Sequence, residues 1–145
     1  MALTLASSPS PALPELLSLY ASVGWTSYTR DPEGLARAVR HSGFLWTARD
    51  GAGTLIGLVR GITDDVSILY GQDLLVCPEW QRRGVGRALM KAVLERYAHV
   101  MQTVLLTDDG PEQLGLYRSL GFHNTRDLVN TPTNAFYRTT QVRLS

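Results

Sequence analysis

The chain is most constrained by one stretch of strand, glycine turn and helix. Leu74-Leu75-Val76-Cys77 is an unbroken apolar run suited to a buried strand, and Pro78, which has no N–H to donate, closes it. Gly84 and Gly86 follow, and then Val85, Leu89, Val93 and Tyr97 recur at helical spacing with Met90 alongside. A second short apolar run, Thr103 to Thr107, comes after that helix. A strand, a crossover helix and a strand join most simply as a parallel pair, so Thr103–Thr107 is expected beside the strand ending at Val76.

The turn has a chemical use. The first turn of a helix leaves N–H groups without intrahelical partners, and glycines let an anion approach them. Arg82, Arg83 and Arg87 surround the turn and suit either phosphate charge or plain solvation. An ordinary turn flanked by solvated arginines fits the same residues. A dinucleotide fingerprint is excluded, because a helix residue stands where Gly-x-Gly-x-x-Gly needs its third glycine. A triphosphatase loop is excluded too, since no Gly-Lys-Ser/Thr follows.

Elsewhere the order of elements is readable. Ala2 to Ala6 suits an edge strand, and a helix from about Pro14 ends near Gly24. Trp25, Tyr28 and Thr29 form an aromatic-rich link, suited to core or lid packing or to an acceptor pocket. Asp31-Pro32 reads as a cap followed by proline at the first helical position, with Leu35, Ala36 and Val39 turned inward. Phe44–Ala48, Leu55–Ile62 and Val66–Val76 read as a three-stranded meander, with turns at Asp50-Gly51 and Asp64-Asp65 and a bulge at Gly71. A bulge there is expected to leave Gln72 and Asp73 on opposite faces. Glu112 to Leu120 is a short helix stopped by Gly121, and strands are expected over Phe122–Val129 and Ala135–Val142. The class is α/β: one antiparallel meander with one β-α-β unit, in a single domain over residues 1–145.

Composition removes several functions. The net charge of +1 points to no general nucleic-acid or membrane surface. Cys77 is the only cysteine, and His41, His99 and His123 are scattered, so no disulfide forms within the chain and no metal is expected. No apolar run is long enough to span a bilayer and no leader pattern opens the chain, so cytoplasmic residence is the default.

Gln81-Arg82-Arg83-Gly84-Val85-Gly86 resembles the Gln/Arg-x-x-Gly-x-Gly/Ala signature of the Gcn5-related N-acetyltransferase (GNAT) family, upstream strand and downstream helix included. Leu116-Tyr117-Arg118-Ser119-Leu120-Gly121-Phe122 is similar to the family's Phe/Leu-Tyr-x-x-x-Gly-Phe segment. The resemblance covers nearly the whole chain. It implies the acyl-CoA N-acyltransferase fold: a mixed central sheet with an antiparallel meander, two splayed parallel strands and flanking helices.

Acetyl-coenzyme A is the implied co-substrate. Its pyrophosphate would lie on the Gln81, Arg82, Arg83, Gly84, Val85, Gly86 and Arg87 loop, and its pantetheine arm would enter the splay along Leu75, Val76 and Cys77. Tyr117 takes the family role of general acid for the departing thiolate; a half-buried helix tyrosine bonded to backbone is the plainer account. Asp73, the carboxylate nearest the splay, is the candidate base, with pairing to an arginine as the alternative. Cys77 is expected to be coenzyme-adjacent or buried and not a nucleophile. The implied activity is direct acetyl transfer to a primary amine of a small molecule or peptide. The rival is a coenzyme A-binding regulatory or scaffold module with little catalysis. A homodimer is compatible with either.

Overall fold

The computed structural model describes residues 2–141. The chain divides into two compact units, residues 1–106 and 107–145. In the first, β1 (Leu3–Ala6), β2 (Phe44–Asp50), β3 (Leu55–Thr63), β4 (Ile68–Val76) and β5 (Gln102–Leu105) form one sheet in that spatial order. The first four strands run antiparallel, and β5 runs parallel to β4. The crossover between those two is α4 (Val85–Arg96), which makes the mixed sheet and flanking helix that the sequence implies.

Two helical layers cover the sheet. Gly57 of β3 marks one face: a Cβ there would sit 3.2 Å from Val85 and 3.2 Å from Leu89, so glycine lets α4 lie close. Val85, Leu89, Met90 and Val93 of α4 are buried. The next residue, Leu58, faces the other way and joins a core of Leu16, Leu19 and Tyr20 from α1 (Leu13–Ser22), Leu35 and Val39 from α3 (Pro32–Arg40), and Leu75 from β4. The alternation of a strand buried on both faces explains why β3 reads as nearly continuous apolar sequence. Between α1 and α3 the aromatic link forms a helical turn, α2 (Thr26–Thr29). Asp31 caps α3 as its sequence suggests, accepting the Gly34 N–H at 3.0 Å.

One local reading is corrected. Arg60 faces Asp73 and Gly61 faces Gly71, so Gln72 is the extra residue of a bulge on β4. Paired residues share a face, which places Asp73 and Gly71 on opposite faces although they are two apart. Gln72 must therefore share a face with one neighbour. Its amide donates to the Tyr28 hydroxyl at 3.3 Å, the same hydroxyl that bonds Asp73, so Gln72 and Asp73 lie together instead of on opposite faces. Gly61 is required at this site because a side chain would strike the Tyr70 carbonyl and the Phe44 ring.

The second unit holds α5 (Pro111–Ser119). Its end is a Schellman cap: Gly121 at φ 93° donates to the Arg118 carbonyl at 3.1 Å, and Phe122 donates to the Tyr117 carbonyl at 3.0 Å. The strand expected over Phe122–Val129 is absent. The Asn124 side chain accepts the Arg126 N–H at 3.1 Å and winds Thr125–Asp127 into a 3-10 turn instead. Residues 135–141 of the last expected strand also lack a ladder, and Val142 lies outside the described residues. Strand propensity without a paired neighbour does not make a strand.

Candidate functional site

The parallel pairing of β4 and β5 runs from Ile68–Gln102 to Gly71–Leu105 and then stops, while β4 continues against β3 to Val76. From Gln72 onward β5 therefore leaves one edge of β4 uncovered. Backbone direction decides what that edge offers. Cys77 donates its N–H to Ile56 on β3 at 2.8 Å. Polar groups alternate along a strand, so Leu75 also turns to β3, whereas Leu74 and Val76 turn to the uncovered edge. Gln81 confirms the direction by donating its amide to the Val76 carbonyl at 2.9 Å. The Leu75 side chain is core, packed beneath α1 and α3.

β4 leads straight into the glycine turn. A 3-10 turn, Pro78–Trp80, is followed by Gln81 and by two left-handed residues, Arg82 at φ 62° and Gly84 at φ 83°. Gly84 is the cap of α4, and the helical bonding begins with Ala88 to the Gly84 carbonyl at 3.0 Å. The N–H groups of Val85, Gly86 and Arg87 thus form the first helical turn, with the dipole behind them. The space around Gly84 is open, since a Cβ there would meet nothing within 4 Å. Gly86 backs onto the strand: its Cβ would lie 3.7 Å from Val76 and 3.9 Å from Leu74. Arg82, Arg83 and Arg87 are exposed around the turn, and the Arg83 guanidinium lies 5.2 Å from the Trp80 ring centre.

Asp73 sits on the opposite side of β4 from Gly86, under α1 and α2. Asp73 is 5% exposed, and both of its carboxylate oxygens are engaged. One oxygen accepts from Arg60 Nε at 2.7 Å and from Tyr20 at 2.8 Å, and the other accepts from Tyr28 at 2.9 Å. Arg60 reaches Tyr28 as well, at 3.1 Å, and Ser42 at 3.4 Å. Burial first, and then the Asp73 charge, pushes both the Tyr20 and Tyr28 phenols up. Burial opposes the Arg60 charge, but Asp73 and the two tyrosines leave its pKa raised. The arginine pairing considered for Asp73 is therefore present, and its oxygens are occupied. Sequence alone gave no role to Arg60 or Tyr20 and set Gln72 on the face away from Asp73. The available signal was a lone arginine within the apolar run Leu55–Ile62, because a charge in a buried strand requires a partner.

Tyr117 lies in the second unit, half-buried, with its ring edge-to-face on Phe122 at 5.7 Å. Burial pushes its phenol up. Cys77 is partly buried, and burial followed by Glu79 pushes its thiol up, the reverse of an activated nucleophile. Several acidic turn residues have structural duties. Asp64 accepts the N–H groups of Val66, Ser67 and Ile68, Asp65 pairs with His99, and Asp109 pairs with Arg126. Among the described residues no three His, Cys, Asp or Glu side chains gather as a metal site, and no helix is long and apolar enough to cross a membrane.

The sheet thus opens along one strand and delivers that strand into a left-handed turn at a helix start. The acetyltransferase (GNAT) domain family matches residues 41–124, and the chain belongs to that family. Serotonin N-acetyltransferase 2, chloroplastic, of Oryza sativa subsp. japonica is 33% identical over 131 residues, covering 87% of this chain and 62% of its own length. GCN5-related N-acetyltransferase 1, chloroplastic, of Arabidopsis thaliana is 29% identical over 118 residues, covering 79% of this chain and 58% of its own length. The chain thus spans about three fifths of the length of these curated relatives. A GNAT-family acetyltransferase from Streptococcus pneumoniae TIGR4 superposes with a TM-score of 0.79 at 33% identity, covering 97% of this chain and all of that one.

Proposed function

We propose that the protein transfers an acetyl group from acetyl-coenzyme A directly to a primary amine. The observation that carries this reading is the continuity of the uncovered β4 edge with the glycine turn. Val76 offers an edge N–H, Gln81 is bonded back to Val76, and the Arg82–Arg87 loop presents helix-start N–H groups in open space. These features fit a long ligand with a polar arm and a pyrophosphate.

In this reading Val85, Gly86 and Arg87 N–H groups hold the pyrophosphate, with Arg82 and Arg83 adding charge. Leu74 and Val76 pair with the pantetheine arm along the segment that continues through Leu75 and Cys77. When bound, acetyl-coenzyme A supplies the activated acyl carbon. The Leu74 N–H, nearer the inner end of that edge, is the donor assigned to charge developing on the acyl oxygen. The amine nitrogen forms a bond to that carbon as the carbon–sulfur bond breaks. Tyr117, a phenol protonated at neutral pH whose pKa burial pushes further up, is assigned to protonate the departing thiolate. Asp73 is spoken for by Arg60, Tyr20 and Tyr28, so the amine loses its proton to water or solvent base.

Arylalkylamines are the first acceptors to test. The rice relative is named for serotonin, and Tyr20, Trp25 and Tyr28 form an aromatic cluster beside Asp73, with Tyr20 and Tyr28 ring centres 4.9 Å apart. The test is coenzyme-thiol release across serotonin, other arylalkylamines, polyamines, aminoglycosides and peptides, with mass detection of product. Acetylated amine is the expected result. Coenzyme binding without any product would favour a binding module, and failure to bind the coenzyme would overturn the assignment.

A further inference from the structure

The group that matters in the Asp73 cluster is Tyr28. We infer that its hydroxyl is a fixed hydrogen-bond acceptor for the incoming amine, held in that role by Asp73 and Arg60 and covered by Gln72 until the amine arrives. This inference rests on the transferase reading and names how that site selects an N–H donor.

The argument is one of proton direction. A carboxylate only accepts hydrogen bonds and a guanidinium only donates them. The Tyr28 proton is therefore committed to Asp73 at 2.9 Å, and Arg60 donates to the phenol oxygen at 3.1 Å. The oxygen's remaining capacity faces Gln72, whose NH2 donates at 3.3 Å, the longest contact that hydroxyl makes. Asp73, Arg60 and Tyr20 are buried, whereas Tyr28 is partly open and Gln72 is exposed. Gln72 can leave for solvent without stranding a buried group, and a ligand N–H then takes its place. An incoming hydrogen-bond acceptor finds no proton there.

The position suits the reaction. Gln72 and Asp73 stand where β5 stops covering β4, at the inner end of the edge that begins at Val76 beside the glycine turn. An arm running from that turn back along the edge ends at Gln72. The bulge at Gln72 turns its side chain onto the Tyr28 face, which joins the open edge to the aromatic cluster.

The test is calorimetric binding of serotonin and 2-phenylethylamine, each against its N,N,N-trimethyl counterpart, to the coenzyme-loaded protein. The trimethyl compounds keep the charge but have no N–H to donate. Wild type is expected to prefer the primary amines by roughly ten-fold, the scale of one hydrogen bond to a charged donor. Tyr28→Phe should reduce that preference to about two-fold or less while coenzyme affinity is retained, and Gln72→Ala should tighten primary-amine binding by removing the competing donor. The inference is overturned if wild type does not discriminate or binds none of the four compounds. It is also overturned if Tyr28→Phe keeps the preference, or if Gln72→Ala weakens amine binding as much as Tyr28→Phe. Failure of wild type to bind the coenzyme would instead remove the transferase reading beneath it.

Discussion

Replacing Asp73 by Asn separates a structural carboxylate from a catalytic base. The substitution keeps the shape of the side chain and one acceptor oxygen but removes the charge facing Arg60. Both members of the pair are nearly buried, at 6% and 5% exposure, and the closest contact is 2.7 Å. Breaking a buried ion pair by removing one partner costs about 3 to 5 kcal/mol, because the other charge stays desolvated. Asn retains part of the hydrogen bonding, so the lower end, about 3 kcal/mol, applies. The unfolding entropy of a chain of 145 residues is about 0.3 kcal/mol per kelvin, which converts that loss to a fall in Tm of about 10 °C. Asp73→Ala should fall further, since Tyr20 and Tyr28 also lose their acceptor. Arg60→Gln combined with Asp73→Asn should lose less than the sum of the two, as coupled neighbours do. Melting followed by circular dichroism measures all of these. Turnover at saturating amine is then measured well below the lowered Tm, where the kcat of Asp73→Asn should stay within a few-fold of wild type. A variant as stable as wild type would refute the buried-pair argument. A stable variant slowed by ~100-fold or more would show Asp73 acting as a base.

Three further outcomes are expected. Gly84→Val should weaken coenzyme A binding by more than ten-fold in calorimetry and cost about 1 to 2 kcal/mol of stability, because φ is 83° there and a branched side chain enters the open approach to the α4 N-terminus. Unchanged affinity in the folded variant would sink the loop assignment. Tyr117→Phe should lower kcat and leave coenzyme affinity near wild type. A tyrosine keeps its proton throughout the neutral range, and burial raises the Tyr117 phenol further, so the activity it supports should decline only on the alkaline side as pH rises through the raised value. Equal kcat for both proteins across that range would remove the acid role. Cys77 should react with iodoacetamide more slowly than a free thiol at pH 8 to 9, because its raised pKa leaves less thiolate than the ordinary value near 8.5 would allow. Faster labelling, read by intact mass, would contradict that.

Local chemistry was readable along the chain. The order of the five strands and the α4 crossover followed from apolar runs, glycine turns and helical spacing, each a property of neighbouring residues. The loop from Gln81 to Gly86 was readable for the same reason: strand, turn and helix start are contiguous, so the candidate phosphate site needs no distant partner. The Gly121 cap was equally local, and its left-handed backbone and Phe122–Tyr117 contact both follow from six consecutive residues.

What lay beyond sequence required residues far apart to meet. The uncovered edge of β4 exists because β5 ends at Leu105, a matter of register between two strands. The bulge at Gln72 depends on which residues of β3 face β4, and it moved Gln72 to the face opposite the one that simple alternation predicts. Arg60, Tyr20, Tyr28 and Asp73 come from four elements and become one network only when α1 and α2 close over the sheet. The strands expected after α5 fail on the same ground: propensity resides in the segment, but a ladder needs a partner. Sequence therefore determined the elements and the contiguous loop, through short-range backbone and side-chain preferences. Tertiary structure alone decided which charges are buried together and which strand edge stays open, because burial and pairing are properties of the assembled sheet.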